Sequence, residues 1–206
     1  MFKLVHTLPN KVLLACSGGV DSMDALHWLE RGDKLGGILH INHGTGKFAD
    51  EAEELVNKVS QDMCIDLAIQ RISTKPPDGE SKEAWWRDQR YAFFRQQAQI
   101  EDMKVVTVHN LNDCAEEYLI NSIVRGRKGI IPYENGPVIR PFRTWSKVDI
   151  YQYAEKNKLE WIEDPSNRDT KFLRNRIRHE ILPQVIDINP GFLGMVRRIV
   201  EIEGLE

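Results

Sequence analysis

The sequence predicts an α/β fold, a parallel β-sheet with helices on both faces followed by a small helical extension, on three observations. Apolar runs of β type recur at 11–16, 36–42, 67–72 and 104–109, each followed by a segment with helical periodicity, and such alternation builds a parallel sheet covered on both faces. Residues foreign to a buried core gather just after those runs, at 17–22, 40–46 and 109–116, where open α/β sheets place their ligands. The 206 residues, 41% of them hydrophobic, suffice for one such core and an appendage.

The first strand runs into a Gly-Gly turn and a helix at 20–30. The second is followed by a helix at 48–62, the third by one at 81–98, and the fourth by one at 112–124. Ser81 and Glu83 give the third helix a start resembling a capping box. Beyond Arg125 the pattern loosens into RGRKGIIPYENGP, whose Gly, Arg and Lys content fits a moving lid. A short strand is expected at VIRPF (138–142), then a helix near 147–156, an irregular stretch at 163–171, a helix at 173–182 broken by Pro183, and a tail helix near 192–202. The expected division is a catalytic domain at 1–143 and a helical extension at 144–206. There is no internal repeat or low-complexity tract.

A net charge of -3 gives no global signature for a polyanion partner. Positive charge is nevertheless concentrated locally, in Arg125, Arg127 and Lys128 and again in Arg168, Lys171, Arg174, Arg176, Arg178 and His179. Cys16, Cys64 and Cys114 are scattered, without the spacing of a metal or redox pair, which points to a reducing cytoplasm. The polar start MFKLVHTLPNK is no signal peptide and no apolar run reaches membrane-spanning length, so a protein without a membrane partner is expected.

Ser17-Gly18-Gly19-Val20-Asp21-Ser22 joins the first strand to the first helix. Paired glycines permit a tight turn, backbone N–H groups at the helix N-terminus face an anion, and two hydroxyls add donors. It is neither a Walker A loop nor a G-x-G-x-x-G fingerprint. The bland alternative is a glycine turn capped locally by Ser17 and Asp21.

With this stretch the sequence resembles the PP-loop ATPases, and among them the tRNA(Ile)-lysidine synthetase family. The resemblance rests on SGGVDS (17–22), HINHG (40–44), SKEAWWRDQRYAFF (81–94), HNLNDCAEE (109–117), VRG with VIRPF (124–142) and EDPSNRDTKFLRNRIRHEILP (163–183), in order over 11–183. It implies a Rossmann-like sheet, with ATP and Mg²⁺ as cofactors and a CAU-anticodon isoleucine tRNA and free lysine as partners. The implied reaction adenylates the C2 oxygen of the wobble cytidine, releases pyrophosphate, and lets lysine displace AMP. Ser17, Gly18, Gly19, Val20, Asp21 and Ser22 would bind ATP, with Asp21 helping to place Mg²⁺.

Asp113 and Glu116, three apart on a helix start, match the family's acidic motif and are expected to bind Mg²⁺ or to receive the lysine ammonium and accept its proton. Standing alone they would be ordinary first-turn acids. His109 and His43 are candidates for nucleotide or base contact, and His40, facing the sheet, for a structural role. Asn110 and Gly46 depart from the family, which tends to carry histidine and arginine there. Arg87 or Arg90 is expected to reach substrate phosphate or the acidic pocket, with Arg87 in the catalytic set. One of Trp85 and Trp86 is a candidate stacking platform, against the commoner fate of core packing. Arg125, Arg127, Lys128, Arg174, Asn175 and Arg178 are expected on tRNA, the alternative being a solvated basic loop.

Rival readings are a PP-loop tRNA thiolase, a small-molecule amide ligase, and an inactive tRNA- or nucleotide-binding homologue. The absence of C-x-x-C speaks against a cluster-dependent thiolase, and the intact grip and acidic pair against the inactive form. The sequence stops soon after the last shared block, whereas many family members continue, which leaves open a minimal form, a separate partner, a homodimer or a piece cut from a longer chain.

Overall fold

Val12, Leu13 and Leu14 alternate between the two faces of a strand and all three are buried, as a central strand covered on both sides requires. The computed structural model describes residues 4–74, 76–77, 79 and 81–203, with the backbone alone at 83, 166 and 168. The strands are β1 (Val12–Ala15), β2 (Leu35–Asn42), β3 (Leu67–Arg71), β4 (Lys104–Thr107), β5 (Glu134–Asn135) and β6 (Val138–Ile139), in spatial order β3-β2-β1-β4-β6-β5. Five run parallel and β5 turns back antiparallel to β6. The purely parallel sheet expected from the sequence is therefore mixed at one edge.

The helices are α1 (Val20–Arg31), α2 (Lys47–Asp62), α3 (Lys82–Glu101), α4 (Leu111–Leu119), α5 (Lys147–Asn157), α6 (Leu173–Arg176), α7 (Leu182–Ile188) and α8 (Phe192–Glu203). Val12, Leu14, Val106 and Ile139 pack against α1, α2 and α5, while Leu13, Leu39, Val105 and Val138 pack against Phe93, Phe94 and Ala98 of α3. A third cluster joins Leu111, Ala115 and Leu119 of α4 to Leu182 of α7 and Phe192, Val196 and Val200 of α8. The first cluster holds residues from both sides of position 143/144, Phe142 together with Trp145, Ile150 and Ala154.

Three local differences have physical causes. The strand at 138–142 shortens to two residues because Arg140 and Arg143 turn their buried guanidinium groups to the carbonyls of Pro132 and Ile131, and Phe142 leaves the sheet to pack on Trp145. α4 ends in a wider π-type turn at Ile120–Val124, with the Arg125 N–H donating to the Ile120 carbonyl. Pro183 does not break its helix: a second π turn at Ile177–Ile181 precedes it, and the ring sits in the first turn of α7, where no N–H is needed. Ser81 caps α3 by accepting from the Ala84 N–H; the Glu83 half of that expectation lies outside the described residues.

Candidate nucleotide site

β1 and β4 are neighbours whose following helices diverge to opposite sides, and the crevice beyond their ends opens into a cavity of about 970 Å³. Ser17, Gly19, Asp21 and Ser22 lie on its floor, His40, His43, Arg87, Arg90 and His109 on its walls, and Glu117, Arg125, Arg127 and Arg174 at its far side.

The floor is a braced loop. Gly18 takes φ +81°, a left-handed conformation, and its α-carbon faces Ala52 of α2 so closely that an added Cβ would lie 3.1 Å from the Ala52 side chain. The Gly18 carbonyl accepts from the Ile162 N–H at 2.9 Å, which ties the segment after α5 to the loop. Gly19 ends the turn as the uncapped N-terminus of α1, and Val20 is buried beneath it. Ser22 was expected to offer its hydroxyl to phosphate. Its O–H donates to the Gly19 carbonyl at 2.9 Å, its oxygen accepts from the Ser17 N–H at 3.1 Å, and the two hydroxyl oxygens stand 3.2 Å apart, so both serines brace the loop while lining the cavity.

Asp21 is held from two sides: Oδ1 accepts from Asn110 Nδ2 at 3.0 Å and Oδ2 from Lys147 Nζ at 2.5 Å. Asn110 also accepts from the Asp113 N–H and donates its own N–H to Asp113 Oδ2, a capping box that fixes α4. One turn beyond Asp21, Asp24 is fully buried with neither carboxyl oxygen hydrogen-bonded. Burial first, and the Asp21 charge second, push it up to about 8.

His40 Nδ1 contacts the Cys16 carbonyl at 2.9 Å, the structural role expected of it. His43 lies tilted against Trp86 with centroids 5.0 Å apart, and the Lys82 ammonium lies 4.6 Å from the centroid of that tryptophan. Trp86 is thus the tryptophan beside the cavity, and the Trp85 indole nitrogen is buried without a partner. Burial, with Arg90 and His40 nearby, brings His43 down to about 4. His109 lies two residues past the end of β4, with Nδ1 3.3 Å from Thr107 Oγ1. Burial and then Arg140, Arg174, Arg90 and Arg87 bring it down to about 3. Two neutral histidines among so many cations mark a cavity built for negative charge. Arg87 is exposed and stacks over Tyr91; it lines the cavity and makes no hydrogen bond to the acidic pair.

Asp113 and Glu116 come together, but Arg178 covers them. Its Nε donates to Glu116 Oε1 at 2.6 Å, and one terminal nitrogen reaches Glu116 Oε2 and Asp113 Oδ1, both at 3.0 Å. Glu116 is 1% exposed and neither acid lines the cavity. Arg178, expected on tRNA, is in this structure the counter-ion that a buried carboxylate needs. Nor do Asp21, Asp113 and Glu116 form one ligand set, since among the described residues no three His, Cys, Asp or Glu side chains are grouped as a metal ion would need. Asn110 stands between Asp21 and Asp113 instead.

The remaining basic candidates frame the opening. Arg125 and Arg174 each donate to one oxygen of Glu117 at 2.6 Å, and Arg125 and Arg127 both donate to Asn121 Oδ1. Lys128 is exposed, and Asn175 donates to the Asp169 carbonyl, shaping the loop before α6. The Arg168 side chain lies outside the described residues. Sequence reasoning missed Asn110, Glu117 and Lys147. The spacing of Asn110 and Asp113 is a legible cap signature; nothing local in the sequence links Lys147 to Asp21. Among the described residues no helix is long and apolar enough to cross a membrane.

The profile of the PP-loop domain family matches residues 3–185. Proteins called tRNA(Ile)-lysidine synthase from Exiguobacterium sibiricum, Thermosipho africanus and Streptococcus pyogenes are 33%, 35% and 36% identical to it over 91%, 93% and 88% of the chain. Those matches take in 46%, 48% and 43% of the relatives, so the chain spans less than half their length. A U34-tRNA thiolase from Methanococcus maripaludis superposes with a TM-score of 0.75 at 16% identity, covering 97% of this chain and 74% of that one. An NH3-dependent NAD synthetase from Campylobacter jejuni gives 0.54, also at 16% identity, over 97% and 89%. These two share the fold. With the family profile spanning the whole sheet and the braced glycine turn at its centre, the chain belongs to the PP-loop domain family.

Proposed function

We propose that this chain carries the chemistry of a tRNA(Ile)-lysidine synthase, adenylating the wobble cytidine of a CAU-anticodon isoleucine tRNA with ATP and then joining lysine to it. The observation that carries the reading is the cavity itself, which sets an anion-gripping turn on its floor opposite a wall of arginines and neutral histidines.

In the first step the cytidine C2 oxygen bonds to the α-phosphorus and pyrophosphate leaves. Ser17 and the backbone N–H groups at the start of α1 hold that leaving group by fixed dipoles, a form of stabilisation that needs no rearrangement during the reaction. Arg87, Arg90, Arg125, Arg127 and Arg174 neutralise the phosphates of both substrates, while His43 and His109, uncharged, orient nucleotide or base. Asp21 fits Mg²⁺ once Lys147 yields its place on Oδ2, because it is a carboxylate on the cavity floor beside the phosphate grip, and one or two carboxylates with phosphate oxygens are that ion's usual protein-side set. Bound there, Mg²⁺ would screen the charge of the phosphates.

In the second step the lysine side-chain amine bonds to C2 and AMP leaves. Asp113 and Glu116 receive the ammonium and take its proton when Arg178, which now fills that place, moves aside. Lysine transfer tests the whole reading: labelled lysine, ATP, Mg²⁺ and unmodified isoleucine tRNA with a CAU anticodon, with Asp113→Ala in parallel. Incorporation by the wild type and its loss in the variant support the reading. ATP–pyrophosphate exchange without incorporation would keep an adenylating enzyme and remove lysine or this tRNA.

A further inference from the structure

Four large apolar side chains stand in the open beside the cationic edge of the cavity. Ile123 and Val124, at the end of the π turn after α4, are 63% and 55% exposed, and Phe172 and Leu173, where α6 begins, are 47% and 48% exposed. Each pair is followed at once in the chain by an arginine, Arg125 in one case and Arg174 in the other, and both arginines end on the two oxygens of Glu117. Both apolar pairs thus stand next in the chain to arginines that meet on one carboxylate, and that clamp lines the cavity. Arg127, Lys128 and Lys171 are exposed around them.

A surface of this kind asks for an occupant with apolar faces and negative charge together. A paired RNA stem offers phosphates but keeps its base faces stacked inside, so it satisfies the arginines alone. Unpaired nucleotides offer both, since splayed bases expose flat faces that settle on apolar and aromatic side chains while their phosphates meet the cations. We propose that Ile123, Val124, Phe172 and Leu173 seat the unpaired nucleotides that flank the base entering the cavity. This rests on the reading above that the substrate is RNA.

The test is binding of a fluorescent stem-loop RNA with a CAU loop, and of the fully paired duplex of the same stem, to the wild type, to an Ile123→Ser/Phe172→Ser double variant and to Arg127→Gln. The double variant should lose about tenfold on the stem-loop, with duplex binding, ATP binding and salt dependence unchanged. Arg127→Gln should weaken both RNAs and flatten the salt dependence. Both replaced side chains of the double variant are exposed, so its melting temperature should match the wild type and exclude misfolding. Wild-type affinity of the double variant for the stem-loop overturns the proposal, as does an equal loss on the duplex. Sedimentation that shows a wild-type dimer and a monomeric double variant, with RNA binding unaltered, would assign the surface to a second copy instead. A wild type that binds ATP but neither RNA sinks the RNA reading itself, a failure distinct from the others.

Discussion

Replacing Asp24 by asparagine should raise stability in a pH-dependent way. The carboxyl is fully buried one turn beyond Asp21 and its oxygens have no hydrogen-bond partner, which lifts it from an ordinary 3.8 to about 8. Below about pH 4 both the folded and the unfolded chain hold the proton, and the site costs nothing that depends on pH. As pH rises through the interval up to about 8 the unfolded chain ionises while the folded one does not, so stability is lost steadily; above it the loss is constant. At ~1.4 kcal/mol per unit, the full loss is on the order of 6 kcal/mol. An asparagine side chain has nearly the same shape and does not titrate. Urea unfolding of both proteins between about pH 5 and pH 9 should show Asp24→Asn gaining on the wild type with rising pH and levelling off near 8. Parallel curves across the range, or a wild type that gains, would refute the argument.

Three further outcomes follow from the same geometry. Arg178→Met should cost about 3–5 kcal/mol in denaturant unfolding, since it strands the buried Glu116 carboxylate, and adding Glu116→Gln should recover part of it. Gly18→Ala should lower nucleotide affinity measured by calorimetry, because the left-handed backbone alone costs about 1–2 kcal/mol and the new methyl lies 3.1 Å from Ala52; unchanged affinity would remove the loop's shape from the account. With His43 and His109 held down to about 4 and about 3, the change of ATP affinity between about pH 6 and pH 8 should be only that of the titrating terminal phosphate and the same in wild type and His109→Gln. A step in that range that vanishes in His109→Gln would show the histidine to titrate normally.

The sheet was legible because β1, β2 and β4 are apolar on both faces and no other element buries both sides of so short a run. β5 was not, since Glu134 and Asn135 carry no strand pattern and pair only because Gly136 turns the chain back onto β6. At the site, the glycine turn and the clustering of Asp113 with Glu116 could be read from local spacing. What could not be read was who neutralises whom. Lys147 meets Asp21, Arg174 meets Glu117 and Arg178 meets Glu116 across distances in the chain that local periodicity does not encode. Arginines that look like free surface charge in the sequence thus prove to be counter-ions of buried or half-buried acids.

The bond from Ile162 to the Gly18 carbonyl has a bearing on how the protein comes into being. The turn that would grip phosphate leaves the ribosome well before the backbone partner that fixes it, about 140 residues later in the chain. A nascent polypeptide of sheet and early helices alone would present the glycine turn with that carbonyl unmet. Competence for nucleotide then waits on the arrival of the segment after α5, and ATP would favour chains that have added that segment over shorter ones.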